Sequence, residues 1–538
     1  MSASLPAFPS RRSVVMCRNG AVATSQPLAA AAGLDVLRRG GTAADAAVAM
    51  AAVLAVVEPM STGIGGDAFA LVYEAKTGKV HALNASGRTA AAATIEAYRE
   101  RGFSSMPERG IMAITVPGAV SGWAALVERF GTMKLGELLE PAIDYARNGF
   151  PVAPITAMDW EAAVPVLQSH PNSARVFLPG GRAPRPGEVV RLPELARSLE
   201  AIAQGGREAF YEGELAEQMV DFIAAEGGLL TREDFRQHQP QWQEPISVDY
   251  RGYRLYECPP NGQGIIALMA LNILKQEPVA SMGYTSPDYW HLAIEALKLA
   301  FHDAWHYVAD PELADVPVEE LLSPAYAARR RELISMDRAI AEPSHGHPQV
   351  SDTVYMTAVD GQGNAVSFIN SIFYSFGSGM VAGETGIVLQ NRGAMFSFDP
   401  AHRNHLAPRK LPYHTIIPAM VTKDGQLFMS YGVMGGLMQP QGHVQVLVNI
   451  VDFGMDVQQA LDAPRFRYVE GTRVLLEPGA NQLVGKALGA RGHAISAPGP
   501  DAKEYFGFGG GQVIMRDAET GVLLAGSDPR KDGLAIGF

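Results

Sequence analysis

Only two cysteines occur in 538 residues, Cys17 and Cys258. They are too few and too far apart for a disulfide framework or a zinc ligand set. Such sparing use suits a reducing compartment, with both thiols buried. Clustered cations are missing too. The net charge is −12 with a pI near 5.6, and no run of Lys and Arg could track a phosphate backbone, which excludes nucleic acid as the expected partner. The most hydrophobic run, residues 46–57, falls well short of the roughly 20 apolar residues that span a bilayer. The opening MSASLPAFPSRRSVVMC has no apolar segment after its arginines, so no secretory leader is expected and the chain reads as cytoplasmic.

Several catalytic signatures are also missing. There is no G-x-S-x-G elbow, and GFGSGM around Ser378 has the wrong order. GFGGGQ, from Gly507, lacks the Lys-Ser/Thr that completes a phosphate loop. His302 and His306 stand four apart on a helical pattern, but no H-E-x-x-H forms and no third ligand is evident, so they read as a solvated face. No metal and no cofactor is expected. A βαβ rhythm is absent, which disfavours a doubly wound parallel sheet.

What is present is a globular composition, 47% hydrophobic and 19% charged, in a chain long enough for several domains or one large multilayer unit. Residues 27–57 predict two helices broken at Gly40-Gly41, with Thr42 and Asp45 forming a capping box for the second. Four stretches then share one form, an apolar run, a polar glycine turn and a second apolar run: AFALVYEA-KTG-KVHALNAS, TVYMTAVD-GQG-NAVSFIN, TIIPAMVT-KDG-QLFMSYGV and GGGQVIMR-DAETG-VLLAGSD. They predict mainly antiparallel strands. Between the first two hairpins the chain reads as helical, with glycine stops after GAVSGWAALVERF, LGELLEPAIDYARN, LPELARSLEAIAQ and GELAEQMVDFIAAE, and its longest helix within residues 284–311. The fold class expected is α+β, sheet packed on sheet with helices outside both.

One hydroxyl stands out. A polar, proline-containing segment, AEPSHGHPQV, runs into Ser351-Asp352-Thr353 and directly into a strand. A cut before Thr353 would free an N-terminal threonine, which supplies both a nucleophile and a base, its α-amine of ordinary pKa about 7.7–8.0. Amide cleavage also needs donors for the developing oxyanion, and Gly435-Gly436 in YGVMGGLMQPQG could offer backbone N–H groups at close approach.

These residues lie within blocks that resemble the γ-glutamyltranspeptidase family of N-terminal nucleophile hydrolases. The blocks are GAVATSQPLAAAAGLDVLRRGGTAADAAVA, VVEPMSTGIGGDAFALVY, VPGAVSGW, the TVYMTAVDGQGNAVSF hairpin, FGSGMVAGETGIVLQNRG, MGGLMQPQGH and AGSDPRKDG. The resemblance implies a four-layer αββα sandwich and a self-cutting precursor. The cut at Asp352–Thr353 would leave a large chain, 1–352, and a small chain, 353–538, folded together as partners, with a dimer of such pairs left open. It implies Thr353 as nucleophile, Ser371 as the hydroxyl that hydrogen-bonds its amine, and Gly435 and Gly436 as the oxyanion pair.

The departures from the family concern the substrate. Met395 stands where glutamyl-recognising members use an acid for the substrate's amino group. Phe373 and Arg392 replace Asn and Gln, and His414-Thr415 replaces Ser-Ser. Ser86 falls at the position of their arginine, with Arg88 two residues on and expected on the same strand face. Arg392, His414, Thr415 and Arg88 therefore suit a small carboxylate-bearing amide, and RGAMFSFDP with PYHTIIPAM resembles the subgroup containing oxamate amidohydrolase. A γ-glutamyl hydrolase or transferase, a cephalosporin-acylase-like amidase, and an uncut binding protein are the alternatives.

Overall fold

A computed structural model describes residues 12–341, 353–497 and 507–538. The polar segment before the proposed cut, with Ser351 and Asp352, lies outside the described residues.

Two alanine-rich helices form as expected, Pro27–Arg38 and Ala43–Val57. The second begins on the Thr42–Asp45 capping box, and every one of its residues is buried. Small side chains around the whole circumference let this helix pack tightly from all sides.

All four predicted hairpins are present and contribute to two seven-stranded sheets. The first sheet runs Leu534–Gly537, Ala21–Thr24, Val354–Val359, Ala365–Ser371, Asp67–Glu74, Lys79–Ala85 and Gln241–Gln243. The second runs Val15–Cys17, Leu523–Ser527, Gly510–Arg516, Gln426–Met434, Ala419–Lys423, Tyr253–Glu257 and Ile246–Tyr250. Every pairing within them is antiparallel. The sheets enclose a core that includes Phe69, Tyr355, Ile369, Met420 and Ile514. Separate cores join each sheet's outer face to helices, the first through residues such as Met50 and Trp123, the second through Leu268 and Leu297. The order is helix, sheet, sheet, helix.

Strand alternation fixes where the candidate nucleophile points. On Val354–Val359 the residues Val354, Met356 and Ala358 join the outer, helix-side core, whereas Tyr355 and Val359 join the core between the sheets. On Ala365–Ser371, Val366 and Phe368 face outward, while Ala365 and Ile369 face inward. A period of two therefore carries Thr353 and Ser371 to the inter-sheet side, facing the second sheet.

The helix from Pro193 ends at the expected glycines, where Gly206 takes φ 62 and leaves the helical region, and a further short helical stretch then runs to Tyr211 with Phe210 and Tyr211 buried. Cys17 and Cys258 are buried free thiols, as expected. Ser378 is a buried loop residue that donates to the Leu389 carbonyl at 2.7 Å. Among the described residues, no helix is long and apolar enough to cross a membrane.

Candidate active site

Thr353 precedes its strand and is fully buried, its Oγ1 3.1 Å from Ser371 Oγ at the end of the adjoining strand. Ser371 Oγ accepts from the Phe373 amide at 2.9 Å and from Arg392 Nη2 at 3.3 Å. Either hydroxyl can be the donor between Ser371 Oγ and Thr353 Oγ1. Phe373 adopts φ 79, a left-handed backbone that costs a non-glycine residue about 1–2 kcal/mol. Its ring is held between Tyr374, at 4.3 Å between centroids, and the Arg392 guanidinium, at 4.2 Å.

Arg392 opens a short 3₁₀ turn, Arg392–Met395, and is fully buried. Nη1 donates to Thr415 Oγ1 at 2.7 Å, and Nε lies 3.9 Å from Asp67 Oδ2, too far for a hydrogen bond. Burial lowers its pKa to about 10, so it stays cationic at neutral pH. The second hydrogens of Nη1 and Nη2 have no partner among the described residues.

Gly435 and Gly436 join the strand Gln426–Met434 to the helix Met438–Val451. Their φ values, 120 and 59, open a turn at the helix N-terminus, and Gly435 approaches Gly509 too closely for a side chain to fit easily. The described residues give neither Gly435 N–H nor Gly436 N–H a hydrogen-bond partner. Gln263 fastens this turn to the rest of the site, its Nε2 donating to the carbonyls of Gly436 at 2.9 Å and Thr415 at 2.7 Å.

The structure adds a residue that reading the sequence passed over within the glycine-dense STGIGGDAF. Asp67 begins its strand fully buried, with Oδ1 accepting from the Gly87 amide at 3.2 Å and Oδ2 from His414 Nε2 at 3.1 Å. The Ile416 amide points at His414 Nδ1 at 3.4 Å, so the imidazole is neutral with its hydrogen on Nε2. Burial and the Arg392 charge agree, pushing the His414 pKa well below its ordinary value. His414 thus supports Asp67, with both ring nitrogens engaged inside the protein. Burial raises the Asp67 carboxyl to about 7, against the pull of Arg392 and the Gly87 amide. Asn261 completes the support: its carbonyl accepts from the His414 amide at 2.9 Å, and its Nδ2 donates to the Pro412 carbonyl at 2.7 Å.

Arg88 belongs to a different neighbourhood. Its strand ends at Ala85, so the strand-phase argument does not reach it. The guanidinium binds Asp310 at 2.8 Å, Glu312 at 2.7 Å and the Arg409 carbonyl at 2.9 Å. Arg88 and Ser86 line a cavity of about 480 Å³ whose walls include neither Thr353, Ser371 nor Arg392. Met395 packs partly buried against the second sheet's core, with no acidic group in its place.

One trio among the described residues has metal-ligand spacing: His291, Glu295 and His493, within 4.8 Å of one another. Its cation position is taken by Lys298, 2.7 Å from Glu295. His291 is already spent on His493 and the Ser335 carbonyl, each at 2.8 Å. His302 and His306 form no such group, and Arg403 Nη1 contacts His306 Nε2 at 3.1 Å.

Comparison with known proteins identifies the family. The chain matches the Gamma-glutamyltranspeptidase family over residues 29–538. It is 42% identical to the glutathione hydrolase-like YwrD proenzyme of Bacillus subtilis, covering 95% of this chain and 97% of that one. It is 36% identical to the oxamate amidohydrolase proenzyme of Klebsiella pneumoniae, covering 97% and 98%. Its fold is similar to the crystal structure of cephalosporin acylase from Bacillus halodurans, with TM-score 0.92 and 47% identity over 100% and 99% of the two chains. The αββα architecture, the buried inter-sheet site and these similarities together show that the chain is an enzyme of the amide-hydrolysing or acyl-transferring kind and belongs to the gamma-glutamyltranspeptidase family.

Proposed function

We propose that this chain is the precursor of a self-cleaving threonine amidohydrolase whose substrate is a small amide bearing a carboxylate, of the oxamate kind. The observation that carries the reading is one continuous path of hydrogen bonds running from Thr353 through Ser371, Arg392, Thr415 and Gln263 to Gly436. It links a hydroxyl, a buried cation and two unoccupied backbone N–H groups in a single rigid frame.

In maturation, Thr353 Oγ attacks the Asp352 carbonyl carbon, the acyl group passes from nitrogen to oxygen, and water hydrolyses the ester. The chains 1–352 and 353–538 result, with a free amine on Thr353. In turnover that amine takes the Oγ proton as Oγ attacks the substrate amide carbon. Gly435 and Gly436 donate to the oxyanion, the amine hands its proton to the departing nitrogen, and water releases the acyl group.

Arg392 supports the carboxylate. It is fully buried, held by Thr415 and Ser371, and has three of its five N–H groups to spare, one on each nitrogen, a geometry suited to bidentate recognition. Met395 offers no charge to an amino group, which weighs against a free glutamyl headgroup. The similarity to an oxamate amidohydrolase proenzyme points the same way, while the glutathione hydrolase-like relative keeps a γ-glutamyl amide as the second reading. Ammonia release from oxamate is to be compared with hydrolysis of a γ-glutamyl chromogenic amide by the processed protein. Higher kcat/KM for oxamate is expected; faster turnover of the glutamyl compound would overturn the assignment.

A further inference from the structure

The described side chains around Arg392 balance in charge while the site is empty. In the processed chain the Thr353 amine, across Ser371 from Arg392, is one more titratable group, of ordinary pKa about 7.7–8.0. Arg392 is the cation, Asp67 the anion, and His414 is neutral because its two nitrogens face Asp67 and the Ile416 amide. All three side chains are fully buried. The remaining groups around Asp67 are the Gly87 and Gly118 amides and the phenol of Tyr211, which donates its hydrogen to the Pro117 carbonyl and is neutral at working pH. A substrate carboxylate entering this space would bring a second negative charge against one guanidinium. Leaving both carboxylates ionised in a buried site is costly, and the usual outcome is that one takes a proton.

Building on the substrate assignment above, we propose that binding of a carboxylate at Arg392 is coupled to uptake of one proton by Asp67. The proton comes from solvent and rests on Asp67 Oδ2, the oxygen nearer Arg392, which leaves the guanidinium charge to the arriving carboxylate. Two features suit Asp67 to this exchange. Its ion pair with Arg392 is loose, at 3.9 Å from an Nε that has no hydrogen-bond partner, so protonation breaks no fork. Its carboxyl also titrates close to neutrality, already lifted to about 7 by burial. Asp67 is a positioning residue here: it holds and releases Arg392 electrostatically and touches no reacting atom in the empty site.

The coupling predicts that carboxylate affinity is level below about pH 7 and falls about tenfold per pH unit above it. The probe is glycolate, a small carboxylate with no amide to cleave. It is titrated into the processed enzyme by calorimetry, in buffers of different ionisation enthalpy, at pH 5.5 and pH 8. Uptake close to one proton per glycolate is expected at pH 8 and little at pH 5.5. Asp67→Asn should bind glycolate with no uptake and with nearly pH-independent affinity. Binding to the wild-type enzyme at pH 8 without proton uptake overturns the coupling and leaves the substrate class standing, with no variant needed. Uptake that persists in Asp67→Asn overturns the choice of Asp67. Glycolate binding that is absent, or unchanged by Arg392→Gln, overturns the carboxylate site itself and the coupling with it.

Discussion

Thr353 Oγ1 and Ser371 Oγ meet at 3.1 Å because the two strands that carry them are adjacent and in register. Val354 pairs with Asn370, so the residue before the first strand lies beside the last residue of the second. Both side chains then point into the inter-sheet space, and the Gly435-Gly436 turn of the second sheet is tied to them through Gln263, Thr415 and Arg392. A single register therefore brings the candidate nucleophile to its hydroxyl partner and, through Arg392, to the rest of the path. A one-residue slip of the first strand would turn the Thr353 hydroxyl outward toward the helices and away from Ser371.

Arg392→Gln removes the buried cation and leaves a side chain of similar polarity. Losing a charge-assisted pair costs about 1.5–3 kcal/mol, so KM for a carboxylate amide should rise roughly 10- to 100-fold. KM for an uncharged amide should barely change. Steady-state kinetics on a matched charged and uncharged substrate pair would show this, and equal effects on both would make Arg392 a scaffold residue.

Gly435→Ala places a methyl group at φ 120, a backbone that L-residues do not adopt readily, and against Gly509. The turn must shift, and with it the two N–H groups. A fall in kcat of about 100-fold is expected with KM little altered, since the lost contact forms only as charge develops on the carbonyl oxygen. Single-turnover acylation rates would measure it directly.

Glu58 lies buried at the end of the helix Ala43–Val57, accepting from Ser25 Oγ at 3.0 Å. Burial lifts its carboxyl from the ordinary 4.5 to about 8, while Lys531 and Ser25 pull it back. The folded chain then holds a proton that the unfolded chain has already shed, so this residue's contribution to stability is present below about pH 4.5 and is lost as pH rises toward 8. Glu58→Gln should therefore gain on the wild-type protein across that window, by on the order of 3 kcal/mol at pH 8. Urea denaturation at pH 5 and pH 8 gives the difference; equal midpoints at both values would refute it.

Lys298 and Glu295 form a fully buried ion pair at 2.7 Å, and Glu295 also accepts from the Ile340 amide at 2.8 Å. Lys298→Met strands the carboxylate and should cost about 3–5 kcal/mol. Adding Glu295→Gln, which keeps an acceptor for Ile340, should restore most of that loss. Denaturant midpoints of the single and double variants decide it, since additive losses would mean that the two residues do not compensate each other.

Local patterns carried most of the fold. The four hairpins were legible because apolar runs flank glycine turns, and the capping box announced itself within four residues. Thr353 could be picked out because a polar segment meets a strand there. Asp67 could not, since its neighbours Gly87, Arg392 and His414 are brought to it only by the pairing of distant strands. Gln263 and Asn261 were hidden for the same reason. Arg88 misled because a period-two argument was carried beyond Ala85, where the strand ends, and no local feature marks Asp310 and Glu312 as its partners. Gly206 was legible as a stop signal, and the helix breaks there.

The most direct test is the intact mass of the purified protein, taken alongside its activity. Two chains are expected, the smaller beginning at Thr353, with turnover present only after the cut. Thr353→Ala should give one uncut, inactive chain. A wild-type chain that stays whole while hydrolysing its amide at full rate would contradict the N-terminal threonine mechanism outright.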